Sequence, residues 1–453
     1  MRFQNSKFHF VGIGGIGMCG LAELLHRMGA HVSGSDMAEN AQTHHLKSIG
    51  VQVYIGHQGD HVGAVDVVVY SSAISKQNPE IRAARQKGIP LIPRAEALAE
   101  IMRLKRGIAI AGTHGKTTTT SLISSIFLEG GLEPTIAVGG KLQNIGSTAV
   151  LGKGEWCIAE ADESDGSFHK LSPEIAVITN IDSDHLEHYG TFDNLKKAFL
   201  DFALKVPFYG KVIVCGDDPV IESVFSDYPK QMITYGFNPT NDYQLKGEMG
   251  SYEILRSDKK SSQLEVLGDI QIEIPGRHNA LNALAATIVG LTAGIKFAQC
   301  QSGLLNFKGV DRRFQLKGEK KQILIYDDYG HHPTEVTATL AGFKEKFPHQ
   351  RLVVLFQPHR YSRTQTCWAE FLKCFAGADV LLLTDIYPAG ENPLPGIDSK
   401  ILCENINHPN RKYLPKNDNL SDEILRLLQP GDIFLTLGAG DGWKIGQKVL
   451  ESL

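Results

Sequence analysis

Phe8-His9-Phe10-Val11-Gly12-Ile13-Gly14-Gly15-Ile16-Gly17 is the stretch that decides the reading of this chain. Residues 8–13 form a mostly apolar run of strand length, and a helical pattern continues from the glycines to about residue 28. A strand covered on both faces reads this way, so the run predicts the central strand of a parallel sheet. The glycines let the backbone approach a pyrophosphate, and the helix start supplies N–H donors and a positive dipole end. Asp36 closes the next strand, where an acidic side chain commonly takes a ribose hydroxyl. Gly12, Gly14, Gly15, Gly17 and Asp36 are therefore candidates for binding a diphosphate ligand. The motif alone leaves open whether that ligand is NAD, FAD or a UDP-sugar.

Outward from this stretch, strands are predicted over 31–35 and 65–71, in strand–helix units of about 30 residues. A new start then appears at Gly107-Ile108-Ala109-Ile110-Ala111-Gly112-Thr113-His114-Gly115-Lys116-Thr117-Thr118. The strand, glycine turn and Lys-Thr helix opening predict a phosphate loop. Its amides would cradle phosphates, Lys116 would reach the β- and γ-phosphates, and Thr117 would ligate Mg²⁺. Ile110 stands where the full phosphate-loop pattern has its first glycine. Two further predicted strands, 156–159 and 175–179, run into Glu160-Ala161-Asp162-Glu163-Ser164-Asp165 and Asn180-Ile181-Asp182-Ser183-Asp184-His185. Ligands in open α/β sheets bind at the carboxyl ends of strands, so both acidic ends are expected to face the phosphate loop and to offer ligands to Mg²⁺.

Residues 243–274 alternate more and are expected to form an antiparallel appendage, with strand pieces at 252–255 and 264–266. Pro275-Gly276-Arg277-His278-Asn279-Ala280-Leu281-Asn282 reads as a helix start with Asn279 near the cap. Asp311-Arg312-Arg313-Phe314 marks a boundary. Beyond it, strands at 322–327, 352–356, 380–384 and 433–437 define a third α/β unit. Two of them end in Asp327-Asp328-Tyr329-Gly330-His331-His332-Pro333-Thr334-Glu335 and Gln357-Pro358-His359-Arg360-Tyr361-Ser362-Arg363. Arg360 and Arg363, three apart, suit capture of a carboxylate or phosphate. The expected fold is α/β in three domains, 1–106, 107–311 and 312–453, each with a parallel-rich sheet.

Composition sets the outer limits. The 453 residues are 42% apolar and 21% charged, an ordinary globular balance that excludes collagen-like, disordered and coiled-coil classes. With 46 Lys plus Arg against 50 Asp plus Glu, the basic surplus of a nucleic-acid binder is missing. The seven cysteines are odd in number and form no C-x-x-C pair, which points to a reducing compartment. Residues 1–10 show no apolar signal-peptide core, and no 18-residue apolar run occurs, so neither secretion nor membrane insertion is expected.

Taken in order, the quoted motifs resemble the Mur ligases of bacterial cell-wall synthesis over essentially the whole chain. The resemblance implies a Rossmann-like N-terminal domain holding a UDP-sugar and a central P-loop ATPase-like domain holding ATP and Mg²⁺. It also implies a Rossmann-like C-terminal domain that brings the amino acid. The implied reaction couples ATP hydrolysis to amide formation between UDP-N-acetylmuramate and, on the branch most resembled, L-alanine. By motif position, Lys116, Glu160, His185, Arg313 and His331 are the catalytic candidates. Gly112, Thr113, His114, Gly115, Lys116, Thr117, Thr118, Asn279, Asn282 and Arg313 are assigned to ATP. Thr117, Glu160 and His185 are assigned to metal. Tyr329, His331, Arg360 and Arg363 line the amino-acid site, and Gly12, Gly14, Gly15, Gly17 and Asp36 cradle the UDP-sugar. A cytoplasmic enzyme acting on small molecules, as a monomer or weak homodimer, is implied, with no nucleic acid and no membrane.

Leu200 stands where several relatives carry a carbamylated lysine, which places the chain on the branch without one. Two alternatives stay open. One is the branch that recycles a preformed tripeptide onto the same UDP-sugar, which tends to carry Phe-Ala where this chain has Tyr329-Gly330. The other is a non-catalytic UDP-sugar-binding protein.

Overall fold

The computed structural model describes residues 2–71, 73–143, 147–258 and 263–453. They form two compact units. One comprises Met1–Lys246, Tyr252–Gln271 and Leu281–Lys308; the other comprises Gly247–Ser251, Ile272–Ala280 and Gly309–Leu453. Two sheets belong to the first unit and one to the second, giving the expected three-domain α/β architecture.

The first sheet has five parallel strands in the order Gln52–Ile55, His31–Asp36, Lys7–Val11, Val67–Tyr70, Leu91–Pro93. Parallel neighbours require crossovers, which the intervening helices supply. Lys7–Val11 lies between His31–Asp36 and Val67–Tyr70, so the chain order reverses on either side of it. That reversal opens a crevice at its carboxyl end, where the glycine turn and helix Ile16–Arg27 begin. A buried polar knot braces this sheet. The Glu80 carboxylate meets His9 Nε2 at 3.2 Å, His61 Nδ1 at 3.0 Å and the amide of Gln58 at 3.1 Å. Burial alone would raise its carboxyl, but the hydrogen bonds from His9 and Ser35 outweigh burial and hold it below the ordinary value.

The second sheet has ten strands, and Arg106–Ala111 occupies the matching place in it. Ile175–Ile178 pairs with that strand on one side and Trp156–Glu160 on the other, both parallel. The two acidic strand ends therefore flank the phosphate loop, as expected. Strands Tyr243–Glu248, Ser251–Asp258 and Gln263–Gln271 correct the appendage expectation in part. They continue this same sheet, and Tyr243–Glu248 pairs parallel to Met232–Gly236. The ladder open at the edge of Met232–Gly236 accepts them, whereas their sequence shows only that they alternate. Trp156, fully buried, packs edge-on to Phe127 at 5.7 Å and anchors the helix after the phosphate loop. Truncating such a core aromatic typically costs about 3–5 kcal/mol.

The third sheet runs Gln315–Lys320, Ile323–Asp328, Ile433–Leu437, Leu352–Phe356, Val380–Leu383, Arg411–Tyr413, with only the first pair antiparallel. Its central strands are buried along their length, and Phe343, Phe356, Phe371 and Phe375 fill one face. Among the described residues, no helix is long and apolar enough to cross a membrane.

Candidate functional site

The N-terminal turn is held by its neighbours. Asp36 Oδ2 accepts from the Gly14 amide at 2.8 Å, and Asn40 Nδ2 donates to the Gly14 carbonyl at 3.2 Å. A Cβ on Gly14 would lie 2.7 Å from Asn40 Nδ2 and 2.8 Å from Asp36 Oδ2, so a side chain there would push both of these groups away from the turn. Asp36 thus fastens the turn with one carboxylate oxygen, a task that the motif does not announce.

In the central turn, Gly112 has φ +133°, and a Cβ there would sit 2.0 Å from Thr179 Oγ1. The turn is laced to the adjacent strand end. The His114 amide donates to Asn180 Oδ1 at 2.8 Å, and the Asp182 amide donates to Thr113 Oγ1 at 2.9 Å. His114 Nε2 lies 3.0 Å from Asp182 Oδ2. Gly115 caps the helix in the left-handed region, with Asn282 Oδ1 2.8 Å from where its Cβ would stand. Asn282 therefore sits against the phosphate loop. Thr117 is half-buried and Thr118 buried in the first turn of the helix.

Lys116 is the electrostatic centre of this turn. Its Nζ donates to the carbonyls of Gly112 at 2.6 Å and Thr113 at 3.1 Å, and to Glu163 at 2.8 Å. Burial alone would lower its pKa, but the carboxylates of Glu163, Asp162 and Glu160 outweigh burial and hold the ammonium above its ordinary range. Burial raises Glu163, which is nearly inaccessible. Asp162, by contrast, is held below its ordinary value despite burial, by the charge of Lys116, a hydrogen bond from Ser164 and the charge of Arg94. His185 Nε2 stands 3.8 Å from Glu163 Oε1, at a residue with φ +58°. Non-glycine residues in that region cluster at functional sites. Glu160, at the end of its strand, accepts from the Gly139 amide at 2.8 Å.

Glu163 and Arg94 are side chains of this candidate site that sequence reasoning misses. Glu163 lies inside an acidic motif in which nothing singles it out. Arg94 begins the helix Arg94–Met102, far from any motif. Its guanidinium is 3.7 Å from Asp162 and would lie 2.9 Å from a Cβ on Gly17. A cavity of about 320 Å³ spans the same ground, lined by Gly15, Gly17, Ser71, Arg94, Glu160 and Asp162. The glycine turn of the first sheet and the acidic strand end of the second thus share one pocket.

Asn279 lies near the cap of its helix, as expected, but is not the cap itself. The helix starts at Arg277, and the buried Asn279 side chain donates to the Pro275 carbonyl at 2.7 Å. The left-handed Gly276 turns the chain into the helix, leaving Asn279 inside its first turn.

The second unit gathers a cationic cluster at the carboxyl ends of its strands. Arg312 is committed locally: its Nε donates to Asp327 at 3.0 Å, and its guanidinium also meets the Gly438 and Ala439 carbonyls. Arg313 makes a longer contact, 3.9 Å to Glu335, and both guanidinium groups stack over Tyr329 at about 5 Å. His331 Nδ1 is 3.1 Å from the Tyr329 carbonyl and 3.3 Å from Glu335. Arg360 sits at φ +69° at the start of helix Tyr361–Thr366, and its amide donates to the Tyr387 carbonyl. The buried Arg363 lies 3.4 Å from His359 Nδ1. The fold brings Tyr329, His331, Arg313 and Arg363 to one edge of the third sheet.

A glycine cradle, a lysine-centred phosphate loop and a cationic strand-end cluster on three α/β sheets define an ATP-using, amide-forming ligase class. Three family models match the chain in succession: Mur ligase family, catalytic domain, over residues 7–106; Mur ligase middle domain over 110–290; and Mur ligase, glutamate ligase domain over 312–440. The chain belongs to the Mur ligase family. The UDP-N-acetylmuramate–L-alanine ligase of Bdellovibrio bacteriovorus is 63% identical to it over the full length of both chains. The ligase of the same name from Geotalea uraniireducens is 49% identical, over 99% of this chain and 98% of that one. The crystal structure of UDP-N-acetylmuramate-alanine ligase from Thermotoga maritima, 27% identical, superposes with a TM-score of 0.81 over 98% of both chains.

Proposed function

We propose that this chain joins L-alanine to the lactyl carboxylate of UDP-N-acetylmuramate, consuming ATP and releasing UDP-N-acetylmuramoyl-L-alanine, ADP and phosphate in peptidoglycan precursor synthesis. The observation that carries the reading is the shared cavity, which runs from the glycine turn to Glu160 and Asp162 beside Lys116. A ligand whose diphosphate rests on the glycine amides would extend its carboxylate towards the phosphate loop. Identity of 63% over the full length to a ligase of that name supports the substrate pair.

The chemistry sets the demands on the residues. A carboxylate is a poor acyl donor, so it is activated by phosphorylation, and the amine of L-alanine then attacks the acyl carbon and displaces phosphate. Two anions, a carboxylate and a triphosphate, must be brought together first, and cations must offset their repulsion. Lys116 is proposed to reach the β- and γ-phosphates, with the turn amides donating to the same groups. Arg313 keeps its proposed role with the nucleotide. Arg94 lines the cavity, where it would offset the negative charge of the UDP-sugar.

Thr117, Glu160 and His185 are proposed as the Mg²⁺ ligands, since Thr117 and Glu160 offer hard oxygen donors and His185 a ring nitrogen. When bound, Mg²⁺ would neutralise phosphate charge and polarise the phosphoryl group. In the second unit, Arg360 and Arg363 are proposed to hold the carboxylate of L-alanine, with His331 and Tyr329 beside its amine and methyl groups. Asn282 and Asn279 are proposed for the nucleotide, Asn282 by way of the Gly115 turn. None of the seven cysteines forms a disulfide and all are buried, which supports a reducing, cytoplasmic setting; we take the chain to act as a monomer or weak homodimer.

The test is phosphate release and product mass with UDP-N-acetylmuramate, ATP, Mg²⁺ and a panel of amines. Release that requires both the UDP-sugar and L-alanine is the expected result. Release with the tripeptide L-alanyl-γ-D-glutamyl-diaminopimelate but none with L-alanine would move the chain to the recycling branch.

A further inference from the structure

His359 stands in the sequence merely as a neighbour of two arginines, yet it is the most constrained side chain of the second unit's cluster. Its ring stacks on Tyr387 with centroids 5.6 Å apart and planes 7° from parallel. The His331 ring meets it at 63° and 5.7 Å. Its backbone is bridged to Tyr387 as well. The stacking fixes the plane of the imidazole, and within that plane Nδ1 faces Arg363 Nη1 at 3.4 Å. A guanidinium has donors and no acceptor, so this contact is a hydrogen bond only if Nδ1 carries no proton.

Everything that faces His359 keeps it that way. Burial, and then the positive charges of His331, Arg363, Arg360 and Arg312, push the imidazole down to about 3. The fifth neighbour, Tyr387, presents an aromatic face. A neutral acceptor suits this place. A carboxylate there would orient Arg363 equally well but would cancel the charge needed for a substrate anion, and a protonated ring would repel it.

We infer that His359 is a positioning residue for the amino-acid step, its unprotonated Nδ1 fixing the Arg363 guanidinium in the plane that receives the carboxylate of L-alanine. This rests on the reading of Arg363 as the carboxylate-binding group. His359 itself is not required to touch substrate.

Three variants at one position separate positioning from packing. His359→Phe keeps the ring against Tyr387 and removes the acceptor, and the L-alanine KM should rise roughly tenfold with the KM values for ATP and UDP-N-acetylmuramate unchanged. His359→Asn restores a neutral acceptor near the Nδ1 position and should bring the L-alanine KM back to within about threefold of the parent. His359→Asp has the same shape as His359→Asn but adds a negative charge, and should lose L-alanine affinity at least as strongly as His359→Phe. A purely structural role would make Asn and Asp equivalent and would lower thermal stability alongside kcat. Equal L-alanine KM values in the Asn and Asp variants overturn the inference, as does a parental value in His359→Phe. Arg363→Lys distinguishes the underlying reading. If it raises the L-alanine KM while His359→Phe does not, only the positioning role fails; if neither variant moves that KM, the assignment of Arg363 fails first.

Discussion

The turns at 12–17 and 112–116 are built alike and held differently. Each follows a buried strand with parallel partners on both sides, and each opens a helix. The first contains no charged side chain. Its shape comes from Asp36 and Asn40 gripping Gly14, and the nearby cation, Arg94, arrives from another helix. The second carries Lys116 within it, wrapped against its own carbonyls and surrounded by Glu160, Asp162 and Glu163. The backbone gives both turns amides that suit phosphate oxygens. The side chains set the chemistry at each. Neutral amides with one outside cation are enough to hold a diphosphate that does not react. A lysine among carboxylates suits the ligand proposed for it, a triphosphate that arrives with metal charge and is cleaved.

The most severe break in this contrast is Lys116→Ala. Turnover should fall by roughly 100-fold or more, as when one preorganised charge donor is removed from a transition state. Binding of UDP-N-acetylmuramate, measured by calorimetry, should stay close to the parent value. A loss of sugar affinity that matched the loss of turnover would show that the two turns are not separate devices.

Glu160→Ala and His185→Ala probe the carboxylate-rich side of the second turn. Mutating groups that merely orient a metal ligand costs about 10–100-fold, so removal of a ligand should raise the Mg²⁺ concentration for half-maximal activity by at least about tenfold. An unchanged Mg²⁺ titration in both variants would remove them from the metal site.

Arg363→Lys serves as a reference outside both turns. Replacing a forked guanidinium by a point charge should cost about 1.5–3 kcal/mol in kcat/KM for L-alanine and leave the other two substrates nearly untouched. If the UDP-sugar KM climbs instead, the arginine reads the sugar.

The mildest change sharpens the first turn. Asp36→Ala removes one hydrogen bond to the Gly14 amide and should weaken UDP-N-acetylmuramate binding by about 1 kcal/mol, with no effect on the Mg²⁺ requirement. A shift in the Mg²⁺ titration would mean that the turns communicate through their shared cavity.

Strand–turn–helix units are local in sequence, which is why the two glycine turns, the three sheets and the acidic strand ends are all legible from residue order alone. Residues 8–13 and 107–111 announce buried strands by composition, and glycine followed by Lys-Thr announces a phosphate loop by spacing. The edge strands after residue 243 show only alternation in sequence, because which ladder accepts a strand depends on an open edge elsewhere. Asparagine favours caps, but Asn279 lies in the first helical turn and its amide donates back to the Pro275 carbonyl four residues earlier, a local bond whose partner the composition does not announce.

What the sequence by itself determined is the set of backbone devices and the order in which the chain lays them down, since both follow from short-range patterning. What only the tertiary structure decided is which charges meet. Arg94 reaches Asp162 from a helix with no motif of its own, Glu163 closes on Lys116, and His359 is turned towards Arg363 by a tyrosine from another strand end. None of these pairs has a sequence signature. Glu163 and Lys116 meet because parallel strands place distant loops at one end of a sheet. Arg94 arrives from a helix that belongs to another sheet, and His359 needs Tyr387 to set its ring plane, and burial strengthens the electrostatics in each case.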